Sequence, residues 1–157
     1  MSAESPPSPV GPRRILVATD FSENAQYALD YARVVAHAAG AKIVLHHSMH
    51  CPEPHTMVGG AFKPLLNYTE LHGEVERQLQ AEARRAKVGQ MLEAVDVGRY
   101  RPDVEILKAA HAHNCDLVVL GTQGRRGVSR FVMGSVSERV SRESRIPVLV
   151  IPMPSAD

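Results

Sequence analysis

Residues 116–135 read DLVVLGTQGRRGVSRFVMGS. The first five form an apolar run of the kind that makes a strand buried on both faces. The run opens at Gly121, and Gly121, Gly124, Gly134 and Ser135 then fall in the spacing G-x2-G-x9-G-[ST]. Glycines at a strand exit let bare backbone N–H groups approach an anion. Residues 135–144 read as a helix whose first-turn N–H groups and positive dipole end face the same anion. Strand, glycine-rich turn and helix N-terminus together are the chemistry of phosphate binding, and they predict a bound nucleotide.

The rest of the chain repeats this alternation. Residues 15–19, ILVAT, suit a parallel strand, ended by Asp20; Asp20 or Ser22 can cap the helix that follows. In that helix Ala25, Ala28, Leu29, Ala32, Val35, Ala36 and Ala39 recur at helical spacing until Gly40 stops it. Residues 41–47 give a second strand. A long irregular stretch then runs through Pro52, Pro54, Gly59, Gly60 and Pro64, followed by a helix with Leu71, Val75, Leu79 and Ala83 on one face. A weaker strand over 91–97, a helix from Pro102 through Val104, Leu107 and Ala110, and a final strand over 147–151 complete the series. Such alternation implies an α/β domain with a mostly parallel sheet covered on both faces. Ligands bind such sheets beyond the carboxyl ends of the strands, where both Asp20 and Gly121 fall.

Composition narrows the function. A chain of 157 residues, 44% hydrophobic and 22% charged, reads as one ordinary globular domain. A formal net charge of +1 argues against a general nucleic-acid or membrane-surface binder. No apolar stretch is long enough to span a bilayer, and the first residues lack the layout of a signal peptide, so the expected location is the cytoplasm. Cys51 and Cys115 do not make a disulfide framework. Residues 1–12, rich in Pro and Ser, read as a disordered tail, which leaves 13–157 as the nucleotide-binding domain.

From RILVATDFSENAQYALDYA through DLVVLGTQGRRG and MGSVSERV to IPVLVIP, the chain resembles the universal stress protein family, and its glycine pattern resembles the ATP-binding branch. The resemblance implies a single-domain, open five-stranded parallel sheet in the order 3-2-1-4-5 with helices on both faces. It implies a homodimer formed through the last strand, Val148–Ile151, and nucleotide holding in a stress-response role rather than fast catalysis. By the same resemblance Asp20 lies at the nucleoside, and Ala18 and Thr19 line the adenine pocket. Gly121, Gly124, Gly134 and Ser135 meet the phosphates, with Val136 and Ser137 continuing that contact. The implied cofactor is ATP, or ADP or AMP, with or without a divalent cation. Two departures stand out. His47 occupies a place where many ATP-binding relatives have a small apolar residue against the adenine, which bears on adenine preference. Residues 98–102 are two longer than the family's usual Gly-x-Pro turn.

Plainer readings compete at several positions. Ser135-x-x-Glu138 is also a capping box, and Asp20 is also a helix cap. Arg125, Arg126 and Arg130 form a solvated basic loop unless they fold over the phosphates; Arg125 is kept among the nucleotide-binding candidates. The stretch 46–51 with His55 is rich in His and Cys, yet strand alternation sends His46 and His47 to opposite faces, so no metal site is assigned. Cys115 reads as a small core residue. Two other functions remain open: a slow ATPase or phosphotransferase, for which no G-x-x-x-x-G-K-[ST] lysine or evident base is present, and a nucleotide-free dimeric interaction module with a metal-responsive His-rich loop. No catalytic residue is assigned.

Overall fold

Five strands carry the domain: β1 (Arg14–Ala18), β2 (Lys42–Ser48), β5 (Leu92–Gly98), β6 (Leu117–Gly121) and β7 (Val148–Ile151). A computed structural model describes residues 11–50, 55–58, 61–64, 67–123 and 133–154. The strands pair in the order β5-β2-β1-β6-β7, every pair parallel, which is the expected 3-2-1-4-5 order when the sheet strands are counted along the chain. Four helices join them: α1 (Glu23–Ala39), α2 (Tyr68–Arg85), α3 (Pro102–Ala112) and α4 (Ser135–Glu143). Most of the expected tail lies outside the described residues.

Two apolar clusters, one on each side of the sheet, explain why the strands carry continuous apolar runs. In β1, Ile15 and Val17 join Ala28, Leu29 and Ala32 of α1 and Val75 and Leu79 of α2. Leu16 and Ala18 of the same strand join Ile106 and Ala109 of α3 and Val140 of α4. Both sets of β1 residues are buried, as a parallel strand between two helical layers requires. The helix ends follow local rules. Ser22 caps α1 by accepting from Ala25 N at 3.2 Å, and Gly40 closes it with φ 66°, a left-handed backbone that glycine adopts without strain. Asn67 caps α2, and Pro102 begins α3.

Two expectations need correction. The third sheet strand is Leu92–Gly98, entered through a single 3-10 turn at Gly89–Met91, one residue later than the apolar pattern suggested. The stretch after β2 is not wholly irregular: β3 (His55–Val58) and β4 (Ala61–Pro64) pair antiparallel. In the lengthened link before α3, Arg99 lies 4.5 Å over the Tyr68 ring and 5.7 Å from that of Tyr100. That stack ties the link to the start of α2. Among the described residues no helix is long and apolar enough to cross a membrane.

One polar network interrupts the apolar packing on the α3 side. His46 Nδ1 lies 2.7 Å from Asp96 Oδ2, and His113 Nε2 lies 3.0 Å from Asp96 Oδ1. The His46 hydrogen bond, aided by His113 and opposed by burial, holds the Asp96 carboxyl at about 2, below its ordinary 3.8. A carboxyl held lower in the fold than in the unfolded chain stabilises the fold above its unfolded value. That contribution disappears as pH falls from 3.8 through about 2. In urea titrations Asp96→Asn is therefore expected to be less stable than wild type at pH 7 by about 1–2 kcal/mol. The gap should close over that acidic window, and a constant gap down to pH 2 would refute the assignment. Leu79, in the apolar core, is 0% exposed, whereas Val34, on the surface of α1, is 56% exposed. Leu79→Ala should cost about 2–5 kcal/mol in the same assay, whereas Val34→Ala should change stability by less than about 0.5 kcal/mol.

Candidate functional site

The order of the sheet reverses at β1, which pairs with β2 on one side and β6 on the other. The chain leaves β1 into α1 on one face, while α4 packs on the opposite face, so a crevice opens at the carboxyl ends between them. One wall is the turn after β1. Thr19 Oγ1 accepts from Phe21 N, and Asp20 Oδ1 accepts from Ser22 N, each at 3.0 Å. These two side-chain turns hold Phe21 at φ 63°, a left-handed conformation that costs a non-glycine residue about 1–3 kcal/mol. The Phe21 ring rests against His47, their centroids 4.7 Å apart. His47 Nδ1 is 2.7 Å from Thr19 O. A carbonyl only accepts, so Nδ1 donates and the imidazole tautomer is fixed.

The opposite wall is built around a side chain that the sequence reading passed over. Asn24, in the first turn of α1, is 7% exposed. Its Oδ1 accepts from Gln123 N at 2.9 Å and from Thr122 Oγ1 at 3.3 Å, while its Nδ2 donates to Ile151 O at 3.0 Å. A Cβ on Gly121 would sit 2.6 Å from Asn24 Oδ1. The glycine at 121 thus answers a close approach rather than an unusual backbone angle. The signal was available: Asn24 stands four residues before Ala28, a polar side chain on the helix stripe that faces the sheet.

Gly134 follows the same logic. Its N–H donates to Thr122 O at 2.6 Å, and a Cβ there would lie 2.9 Å from that oxygen. Gly134 is the N-cap of α4 and no side chain caps it. The capping-box reading of Ser135 and Glu138 is corrected accordingly: Ser135 is already the first helical residue, and Glu138 pairs with Arg142 at 3.3 Å. Instead the buried Ser137 hydroxyl lies 3.0 Å from Thr122 O and 2.9 Å from Gly134 O, stitching the helix start to the exit of β6. With Glu138 N bonded to Gly134 O, the N–H groups of Ser135, Val136 and Ser137 have no intrahelical acceptor. Such an end attracts anions. Arg139 of α4 lies 3.9 Å from Asp103 of α3, a side chain only 4% exposed that also pairs with Arg101 at 2.6 Å, and this cluster helps fix α4 in place.

The expected site residues therefore gather along one edge of the sheet. Ala18, Thr19 and Asp20 end β1, His47 stands near the end of β2, Gly121 ends β6, and Gly134 to Ser137 begin α4. Gly124 and Arg125, with Arg126 and Arg130, lie outside the described residues. His46 and His47 diverge to opposite faces, His46 to Asp96 and His47 to Thr19. Among the described residues no three His, Cys, Asp or Glu side chains are grouped to hold a metal ion.

The model of the universal stress protein family matches residues 11–152. The chain belongs to the universal stress protein family. Universal stress protein MJ0577 of Methanocaldococcus jannaschii is 28% identical over 154 residues, covering 88% of this chain and 94% of that protein. A universal stress protein solved in complex with cAMP superposes with a TM-score of 0.62 at 22% identity, covering 90% of this chain and 98% of the other. The universal stress protein of Archaeoglobus fulgidus, solved in complex with dAMP, gives 0.60 at 23% identity, covering 88% and 97%. At these identities the two structures speak to the shared fold.

The contact between Gly121 and Asn24 yields a double-mutant test within this universal stress protein. Gly121→Ala should destabilise by about 1–3 kcal/mol because the new methyl displaces the amide from its partners. In an Asn24→Ala background the same substitution should cost little, giving a coupling of at least about 1 kcal/mol by chemical denaturation. Additive effects would show that the glycine serves something else.

Proposed function

We propose that this universal stress protein holds an adenine nucleotide in the crevice between β1 and β6 and serves a regulatory stress-response role. The observation that carries the reading is the uncapped start of α4, fixed by Thr122 and opening beside the exits of the two central strands. Phosphate oxygens fit the N–H groups of Ser135, Val136 and Ser137, with Gly124 and Arg125 in the adjoining loop completing the contact. Asp20 would take the ribose hydroxyls, acceptor to donor, and the Ala18–Thr19 backbone with His47 would line the base. The cAMP and dAMP complexes of proteins with this fold support an adenine ligand. ATP is our choice among ATP, ADP and AMP, because the spacing of Gly121, Gly124, Gly134 and Ser135 resembles that of the family's ATP-binding branch; a divalent cation would accompany the phosphates. We place the protein in the cytoplasm as a homodimer. β7 ends the sheet order, and Val148, Leu149 and Val150 are half-buried along that edge.

The test begins with protein purified without added nucleotide, denatured, and its released ligand identified by mass spectrometry. ATP, ADP and AMP are then titrated calorimetrically into stripped wild type, Gly124→Val and Asp20→Asn. Binding to wild type with a Kd below about 100 μM, weakened at least tenfold in each variant (about 1.4 kcal/mol), is the expected result. Asp20→Asn keeps an oxygen for Ser22 N, so its effect reads the nucleoside contact rather than the turn. An empty crevice and no heat with any of the three nucleotides up to about 1 mM, a very weak affinity, would end the proposal.

A further inference from the structure

The α3 side of the sheet holds a second constellation that nucleotide binding does not use. His46 and Ser48 lie two residues apart in β2 and therefore point to one face. Asp96 stands opposite His46 in β5. His46 Nδ1 is 2.7 Å from Asp96 Oδ2, and His46 Nε2 is 2.9 Å from Ser48 Oγ. Asp96 is steadied in turn by His113 Nε2 at 3.0 Å. The carboxyl of Asp96, held at about 2, is ionised at neutral pH and can only accept. Nδ1 of His46 therefore carries a proton, and the tautomer that leaves Nε2 bare accepts the Ser48 hydroxyl there. The His46 side chain is 1% exposed, so the ring is held in that orientation, while Ser48 is half-buried as the last residue of β2 at the rim of the sheet.

A hydroxyl within reach of an imidazole that a carboxylate orients is the arrangement of an activated serine, recognised by geometry rather than by position in the chain. We propose that Ser48 is a nucleophile that accepts an acyl group from activated carboxylic esters, with His46 as its base and Asp96 as the positioning residue. In the step, the Ser48 hydroxyl proton passes to His46 Nε2 as Oγ attacks the carbonyl carbon. The bond from that carbon to the leaving oxygen breaks, and the alcohol departs with the proton from Nε2. Ser48 is left as an ester and His46 neutral, with no change of oxidation state. Neutral esters are favoured over phosphate donors by Glu105. Ser48 faces Gly98 across the β2–β5 ladder, and a Cβ on Gly98 would lie 2.7 Å from Glu105 Cβ and 2.9 Å from Glu105 Oε2. That carboxylate, on a residue 8% exposed, accepts from Arg99 N at 3.3 Å and lies 3.8 Å from Lys108 Nζ, so it adds a paired negative group rather than a phosphate-binding donor beside Ser48.

A purely structural role makes the opposite forecast, since Asp96 and Ser48 then only satisfy a buried imidazole and Ser48 reacts like any other serine. The experiment uses p-nitrophenyl acetate on the full chain, with acetylated positions mapped by peptide mass spectrometry and the nitrophenol burst timed. Wild type should acquire one acetyl group at Ser48, at a rate at least about 100-fold above that of its other serines, the lower range of general-base assistance. Ser48→Ala, which removes one hydroxyl from a half-buried position, should abolish the burst. His46→Gln should slow acetylation of Ser48 at least about 100-fold while circular dichroism stays native. If that variant does not fold, Asp96→Asn is read in its place, with melting temperature recorded on the same samples. Acetyl groups confined to lysines and other serines would overturn the proposal. So would unchanged Ser48 reactivity in a folded variant that lacks the imidazole or the carboxylate.

Discussion

The shape of the crevice depends on one buried amide. Asn24 reaches from α1 under the exits of β6 and β7 and makes three hydrogen bonds with Thr122, Gln123 and Ile151. An amide this buried must find its partners inside the protein, so its position is strongly constrained. Gly121 is the immediate consequence, because any larger residue there would collide with the amide. Thr122, fixed from below by Asn24, then offers its carbonyl to both Gly134 and Ser137. The start of α4 is thereby positioned from α1 through a chain of short polar contacts. Gly121 and Gly134, which read in the sequence as part of a phosphate-binding motif, serve this internal geometry, where the backbone must come close.

The period-2 alternation of a strand separates groups that look like neighbours in the sequence. His46 and His47 are adjacent letters in a stretch rich in His and Cys, yet they meet different surroundings. His46 enters the α3 side and finds Asp96 and Ser48, while His47 joins the α1 side and finds Thr19 and Phe21. A strand buried on both faces can therefore carry two unrelated polar constellations within three residues. The His46 ring, 1% exposed, must find both its partners inside the protein.

Much of this architecture was legible from the sequence because it is written locally. The apolar runs of β1, β2, β6 and β7, the stripe of α1 and the convergence of Asp20 with Gly121 all follow from periodicity and turn chemistry. What escaped was long-range or competitive. Asn24 acts on residues about a hundred positions away, and its place on the buried stripe of α1 announces a buried amide but not its partners. Ser135 and Glu138 obeyed the spacing of a capping box, but Gly134 had already taken the cap and Arg142 offered Glu138 a partner. β5 was blurred because most of its residues are only half-buried at the edge of the sheet, which weakens the apolar signal. Gly124 and Arg125 remain expectations of the sequence, since they lie outside the described residues.

His47 is part of what holds the exits of β1 and β2 together. Beyond the last rung shared by β1 and β2 the parallel ladder gives way, and the two strand ends would ordinarily separate. Here Thr19 N donates to His46 O at 2.9 Å, and His47 returns a hydrogen bond to Thr19 O at 2.7 Å. The Thr19 backbone is thus held through both its N–H and its carbonyl. A small apolar residue at 47 could supply neither the second bond nor the ring on which Phe21 rests. That support matters because Phe21 sits in a backbone region that persists only where its surroundings over-determine it. The imidazole therefore braces the β1 wall of the crevice much as Asn24 braces the wall formed by the exit of β6 and the start of α4. The two walls are held by different chemistry, one by a tautomer fixed against a carbonyl and the other by an amide using both its ends.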